Sequence, residues 1–99
     1  MKNVGLADFT QEVMQSLEPV IVDFYGEHCG PCKAMKPLLE SIQAEGLAKI
    51  VAVDVAKEPE LAEHFGVDSV PTLIGFRYGK PVAKSVGVRK KTEVLQLIN

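Results

Sequence analysis

One short stretch limits what this chain can become. Val20-Ile21-Val22-Asp23-Phe24-Tyr25 is an apolar run of strand character, and beyond it Met35, Leu38, Leu39 and Ile42 recur at helical spacing. Between them stands Glu27-His28-Cys29-Gly30-Pro31-Cys32-Lys33, which holds the only 2 cysteines of the chain. A bond between those sulfurs closes a very small ring, so the loop has to turn tightly. Gly30 lacks a Cβ, and Pro31 pre-sets φ for the first turn of a helix. The cysteines therefore lie at a strand-to-helix junction, and that location gives the motif its meaning. Cys29 stands just ahead of the helix N-terminus, where unpaired N–H groups and the helix dipole favour an anion. Its thiol is expected to ionise below the free value of about 8.5. Cys32 falls inside the first turn, where its sulfur is expected to be more covered.

The 99 residues suit one domain, residues 1–99, whose core needs neither a metal nor several disulfides. A net charge of −2 gives no reason to expect nucleic acid or membrane as a partner. No apolar run reaches the ~18 residues that a bilayer-crossing helix needs. Residues 1–8 carry one positive charge and no apolar stretch, unlike a secretory leader. The expected setting is the cytoplasm, where disulfides are transient and catalytic.

Along the chain, Asp8 or Thr10 is expected to cap a first helix with Phe9, Val13, Met14 and Leu17 on its inner face. Glu18-Pro19 ends it, since the residue before proline avoids the α region. Residues 20–25 form an interior strand. The helix carrying Cys32 continues past Pro37 to about Glu45, with Gly46 as its C′ residue. Residues 50–55 read as a second interior strand. A short helix with Pro59 at N1 follows, with Leu61, Ala62 and Phe65 facing inward. Residues 72–78 and 82–86 read as an antiparallel hairpin across Gly79-Lys80-Pro81, and Thr92 caps a last helix bearing Val94, Leu97 and Ile98. The order α, β, α, β, α, β, β, α predicts an α/β fold: a mixed, four- to five-stranded sheet with helices on both faces. The cysteines lie at the carboxyl end of a central strand.

These features resemble the thioredoxin family over nearly the whole chain. The residues carrying the resemblance are Val22-Asp23-Phe24, Cys29-Gly30-Pro31-Cys32-Lys33, Pro37, Val70-Pro71-Thr72, Phe76 and Val86-Gly87. The resemblance implies a thiol–disulfide oxidoreductase that reduces protein disulfides, with Cys29 attacking and Cys32 resolving the mixed disulfide. It implies a reductase of the thioredoxin-reductase type as electron donor and disulfide-containing proteins as clients. The redox-active Cys29–Cys32 pair would serve without a further cofactor, in a monomer. Asp23 would assist proton transfer at Cys32. Strand alternation puts it on the face of Ile21 and Tyr25, where an unpaired buried carboxylate has its pKa pushed up. Pro71 would be cis, with the Val70 backbone offering strand-like hydrogen bonds to an extended substrate segment. His28, Gly30, Pro31, Val70, Pro71 and Gly87 would form the substrate-binding patch.

The chain departs from the family in having no tryptophan. His28 stands where Trp usually precedes the first cysteine, and Tyr25 where a second Trp is frequent. A protonated His28 would stabilise the Cys29 thiolate, whereas a solvated one would only cover part of the patch. Ala52 occupies the place of a frequent lysine, which removes an opposite charge from the surroundings of Asp23. Gly75 replaces a large aliphatic and is expected to weaken its strand. The family's first strand has little sequence to form it, which leaves one sheet edge open.

Zinc is disfavoured because no second ligand pair accompanies Cys29 and Cys32. Lys33 stands where covalent haem attachment needs histidine. No dinucleotide fingerprint is present, so electrons have to come from a protein. His64 and the Arg89-Lys90-Lys91 run read as solvated surface, and Met14 and Met35 as core. Two other readings are a specialised relative with its own reductase or a narrow client, and a non-catalytic binding module using the same patch.

Overall fold

A computed structural model describes residues 1–99. Its elements are β1 (Lys2–Asn3), α1 (Leu6–Phe9) running into a π-helical turn (Thr10–Met14), β2 (Val20–Tyr25), α2 (Gly30–Ala44), β3 (Lys49–Asp54), α3 (Pro59–His64), β4 (Thr72–Arg77), β5 (Lys80–Val86) and α4 (Lys91–Gln96). They build a five-stranded mixed sheet in the order β1-β3-β2-β4-β5. The β1–β3 and β2–β3 pairs are parallel, and the β2–β4 and β4–β5 pairs are antiparallel.

Strand alternation sorts the side chains into two cores. Val20, Val22 and Phe24 of β2 pack with Val51, Val53, Ile74 and Phe76 against Phe9, Val13 and Leu61, so α1 and α3 cover that face. Ile21 packs with Ile50 and Leu73 against Met35, Leu39 and Ile42 of α2, Val94 of α4 and Leu97 just after it. Each fully buried side chain of this size contributes about 1.5–3 kcal/mol. Asp23 belongs to the second face, so its carboxyl is directed beneath α2.

The elements around the cysteines fall as the sequence predicts, and the differences lie at the margins. β1 exists: Lys2 and Asn3 pair with Val51 and Ala52, and the Val4 N–H donates to the Ala52 carbonyl at 2.8 Å. So short a strand has no periodicity to read and forms only because β3 offers it an edge. The first helix starts at Leu6, and Asp8 caps from inside it, accepting from the Gly5 N–H at 2.7 Å. Met14 and Leu17 are not core; they are 40% and 91% exposed. The wider π turn, closed by Gln15 N–H to the Thr10 carbonyl at 2.8 Å, shifts the phase of the inner face after Val13.

The hairpin turn is Tyr78-Gly79, with φ 53° and 77°, so β5 starts at Lys80 rather than Val82. Positive φ at both central residues matches the twist of the flanking strands. Pro81 is tolerated because β5 is an edge. The last helix starts at Lys91 with Lys90 as its cap, because Glu93 reaches back to accept from the Lys90 N–H at 3.0 Å. That carboxylate offsets the positive run at the helix start.

Gly75 has a structural reason that its strand alone does not suggest. A Cβ there would collide with the Leu97 carbonyl oxygen and lie 2.7 Å from its carbon and 3.1 Å from the Leu97 Cβ. The missing side chain lets the end of α4 settle directly on β4. Gly75→Ala is expected to lower stability by about 1–3 kcal/mol. A urea unfolding midpoint equal to that of the parent would contradict this packing.

Candidate active site

β2 ends at Tyr25, and the chain reaches α2 through Gly26, Glu27 and His28. Cys29 is the N-cap of α2, in extended conformation with φ −106° and ψ 110°. Its Sγ accepts from the Cys32 N–H at 3.1 Å. A side-chain acceptor at this position satisfies one of the orphan N–H groups of a helix start, and a sulfur carrying negative charge accepts more strongly than a neutral one. Cys29 and Cys32 form a disulfide, with Cα atoms 5.2 Å apart. The two sulfur-bearing residues differ in access: Cys29 is half-buried, whereas Cys32 is 6% exposed. His28, Gly30 and Pro31 surround Cys29 as an exposed rim.

Two further segments close on this rim. The Val70–Pro71 peptide bond is cis, Pro71 is buried and Val70 half-buried. A Cβ on Gly26 would stand 3.4 Å from Val70 Cγ2 and 3.5 Å from Cys29 Cβ, so the Val70 side chain and Cys29 border the same glycine. The Gly87 N–H donates to the Pro71 carbonyl at 2.9 Å, and Gly87 itself adopts φ 90°. The Arg89 N–H points at the Met35 sulfur at 3.4 Å, which ties the chain after Gly87 to α2. The fold thus gathers His28, Gly30, Pro31, Val70, Pro71 and Gly87 around Cys29. His64 is exposed on α3, within the helix that covers the other face of the sheet.

Asp23 is 4% exposed, and its Oδ1 is buried without a hydrogen-bond partner. It lines a cavity of about 280 Å³ together with Cys32, Tyr25 and Ala52. Burial pushes its pKa up to about 7. The Tyr25 hydroxyl donates to Asn3 Oδ1 at 2.7 Å. Its pKa is raised by burial and, secondarily, by the charges of Asp54, Asp23 and Glu27. Asn3 and Lys36 on this cavity wall escape a sequence reading. Lys36 leaves one trace, the one-turn spacing from Cys32 that puts both on the same side of a helix. A larger cavity of about 580 Å³ near Lys2, Glu12 and Lys49 is remote from the cysteines. There Glu12 is already paired with both lysines.

A carboxyl at about pKa 7 that lines one cavity with Cys32 can take up and release a proton near neutral pH. The same shift has a stability consequence. The folded pKa lies above the ordinary 3.8, so the folded state holds the proton longer than the unfolded chain does. Stability is therefore greatest at low pH with respect to this group and is lost as pH rises through the interval from 3.8 to about 7, by about 4 kcal/mol. Urea unfolding of the oxidised protein is expected to show this decline between about pH 4 and about pH 8, and Asp23→Asn to remove most of it. A parallel decline in both proteins would contradict the burial of an unpaired carboxyl.

The thioredoxin family model, described as "Thioredoxin", matches residues 1–99. A thioredoxin of Chlamydia muridarum is 47% identical over 97 residues, covering 97% of this chain and 93% of that protein. A bifunctional thioredoxin reductase/thioredoxin of Mycobacterium leprae is 40% identical over 103 residues, which cover 96% of this chain and 22% of that longer protein. Among solved structures, a mutant thioredoxin from Halobacterium salinarum NRC-1 superposes with a TM-score of 0.89 at 31% identity, covering 98% of this chain and 86% of that one.

Proposed function

The chain belongs to the thioredoxin family and is a thiol–disulfide oxidoreductase whose redox pair is Cys29–Cys32; from that premise we propose that it acts as a reductant of protein disulfides, with Cys29 attacking and Cys32 resolving. The observation that carries the division of labour is the difference in access at one helix start. Cys29 is half-exposed at the N-cap, with the Cys32 N–H directed at its sulfur, while Cys32 is buried in the first turn.

In the reduced protein the Cys29 thiolate attacks a client disulfide. One client sulfur leaves as a thiolate and takes a proton from water, and the other is joined to Cys29. The Asp23 carboxylate then takes the Cys32 proton, directly or through water in the cavity they share. The Cys32 thiolate displaces the remaining client sulfur from Cys29, and that sulfur leaves as a thiolate and takes its proton from Asp23 or from water. The client gains two electrons and two protons, and the Cys29–Cys32 disulfide forms. Extended client segments lie along the Val70 backbone, over the rim of His28, Gly30, Pro31, Pro71 and Gly87.

Return to the dithiol falls to a thioredoxin-reductase-type protein. The M. leprae relative, whose name joins a reductase to a thioredoxin, supports that pairing. No helix is long and apolar enough to cross a membrane. Residues 1–99 work as one monomeric domain in a reducing, cytoplasmic setting. His28, exposed where the family usually has tryptophan, suits a narrower choice of client than a general reductant has.

Insulin reduction with dithiothreitol as electron source tests the proposal. The parent is expected to accelerate precipitation of the insulin B chain, and Cys29→Ser to abolish the effect. Cys32→Ser is expected to accumulate a mixed disulfide with the client, seen as a band sensitive to reductant. Precipitation no faster than with dithiothreitol alone, or equal alkylation of both thiols at neutral pH, would overturn it.

A further inference from the structure

When Asp23 gives up its proton, the resulting charge has no partner. Oδ1 makes no hydrogen bond, and the carboxyl is almost wholly covered. An isolated buried carboxylate is strongly unfavourable unless a cation or donor reaches it. β3 supplies none, because Ala52 pairs with Asp23 across the sheet and ends at its methyl group.

The cavity beside Asp23 identifies where a cation can come from. Its ionisable wall comprises Tyr25 and Glu27 from β2 and the loop after it, Met1 from the chain start, and Lys33, Lys36 and Glu40 from α2. Asp54 of β3 acts on the same region through Tyr25. The side-chain cations among these groups are the two lysines. The ion pairs of the fold occupy Lys2, Lys49 and Lys91, which leaves Lys33 and Lys36 free. Helical geometry separates the two. Lys36 follows Cys32 by one turn, and helical side chains lean toward the N-terminus, so its stem lies back over the turn that carries Cys32. Lys33 is rotated about 100° from Cys32 and leans toward the open start of the helix. A lysine stem is flexible along four carbons, so the ammonium can move between water and the cavity mouth.

We propose that Lys36 is the counter-cation of Asp23, a positioning residue that swings from solvent into the cavity and pairs with the carboxylate once it ionises. The cation that Ala52 of β3 cannot offer to Asp23 is supplied from α2. While Asp23 is protonated nothing draws the ammonium inward, which agrees with the exposed position of Lys36. Glu40, one turn further along α2, is the competing partner. The proposal rests on the reading of Asp23 as the base for Cys32, in that the pairing then sets the pH at which the base is ready.

Titration of the Asp23 carboxyl by carbon-13 NMR tests it, in the full-length reduced protein and in Lys36→Met, Lys36→Arg and Lys33→Met. Removing an opposite charge raises a carboxyl pKa, so Lys36→Met is expected to move the Asp23 midpoint up by about 0.5–1 pH unit. Lys36→Arg is expected to restore it, and Lys33→Met to move it less. Circular dichroism checks that each variant is folded, and substitution at an exposed helix position is expected to leave the fold intact. An unchanged midpoint in Lys36→Met, or an equal shift in Lys33→Met, would overturn the assignment. The pH profile of insulin reduction separates the two layers. If the midpoint moves and the profile follows, pairing and base role stand together. If the midpoint moves and the profile does not, the pairing stands and the base role of Asp23 falls.

Discussion

β2 is hydrogen-bonded on both edges, parallel to β3 and antiparallel to β4, and the site is a consequence of that double pairing. The register sets Phe24 opposite Thr72 and Thr72 opposite Val86. The three strands therefore meet one boundary of the sheet together, and the segments just beyond them share a single rim: Gly26 to Cys29, Val70-Pro71 and Gly87. A slip of one residue in either ladder would turn every side chain to the opposite face and carry Asp23 away from α2. Reactivity at Cys29 thus depends on backbone bonds some distance from the sulfur, which hold a helix start over the end of the central strand.

Holding Asp23 in that layer sets the proton-transfer role proposed for it against stability. Its neighbours on the same face, Ile21, Leu73, Met35 and Leu39, contribute to folding by leaving water. The carboxyl opposes folding as soon as it ionises. A leucine would pack the position without that opposition, but it could not play the proton-transfer role proposed for Asp23. The cavity that Asp23 and Cys32 both line leaves room for that proposed transfer, and Ala52 is part of its wall. The surrounding apolar core tolerates one such group because a single buried carboxyl opposes many favourable contacts.

Gly75 shows how far the support extends. Its lack of a side chain seats the end of α4 on β4. α4 in turn completes the apolar layer shared with α2, in which Val94 and Leu97 lie with Met35 and Leu39. Met35 also receives the Arg89 N–H, so one residue of α2 steadies the segment following Gly87. A glycine that weakens its own strand is thereby coupled, through α4 and α2, to the geometry of the cysteine loop.

Much of this could be read from the amino-acid order alone. Strand, tight turn and helix around the cysteines, the two-faced alternation of residues 20–25 and the proline placed for a helix start are local properties, written in spacing and backbone preference. Other features depend on partners distant in the chain. β1 forms because β3 has a free edge, the π turn rotates Met14 and Leu17 outward, and Glu93 moves the cap of the last helix from Thr92 to Lys90. The meeting of Pro71 with Gly87, and of Asp23 with Asn3 and Lys36 around one cavity, is likewise decided only in three dimensions. Sequence determines which groups can ionise, turn or cap, because those are properties of a residue and its neighbours along the chain. Tertiary structure decides which of them lose water and which face one another, because burial and pairing belong to the whole packed sheet.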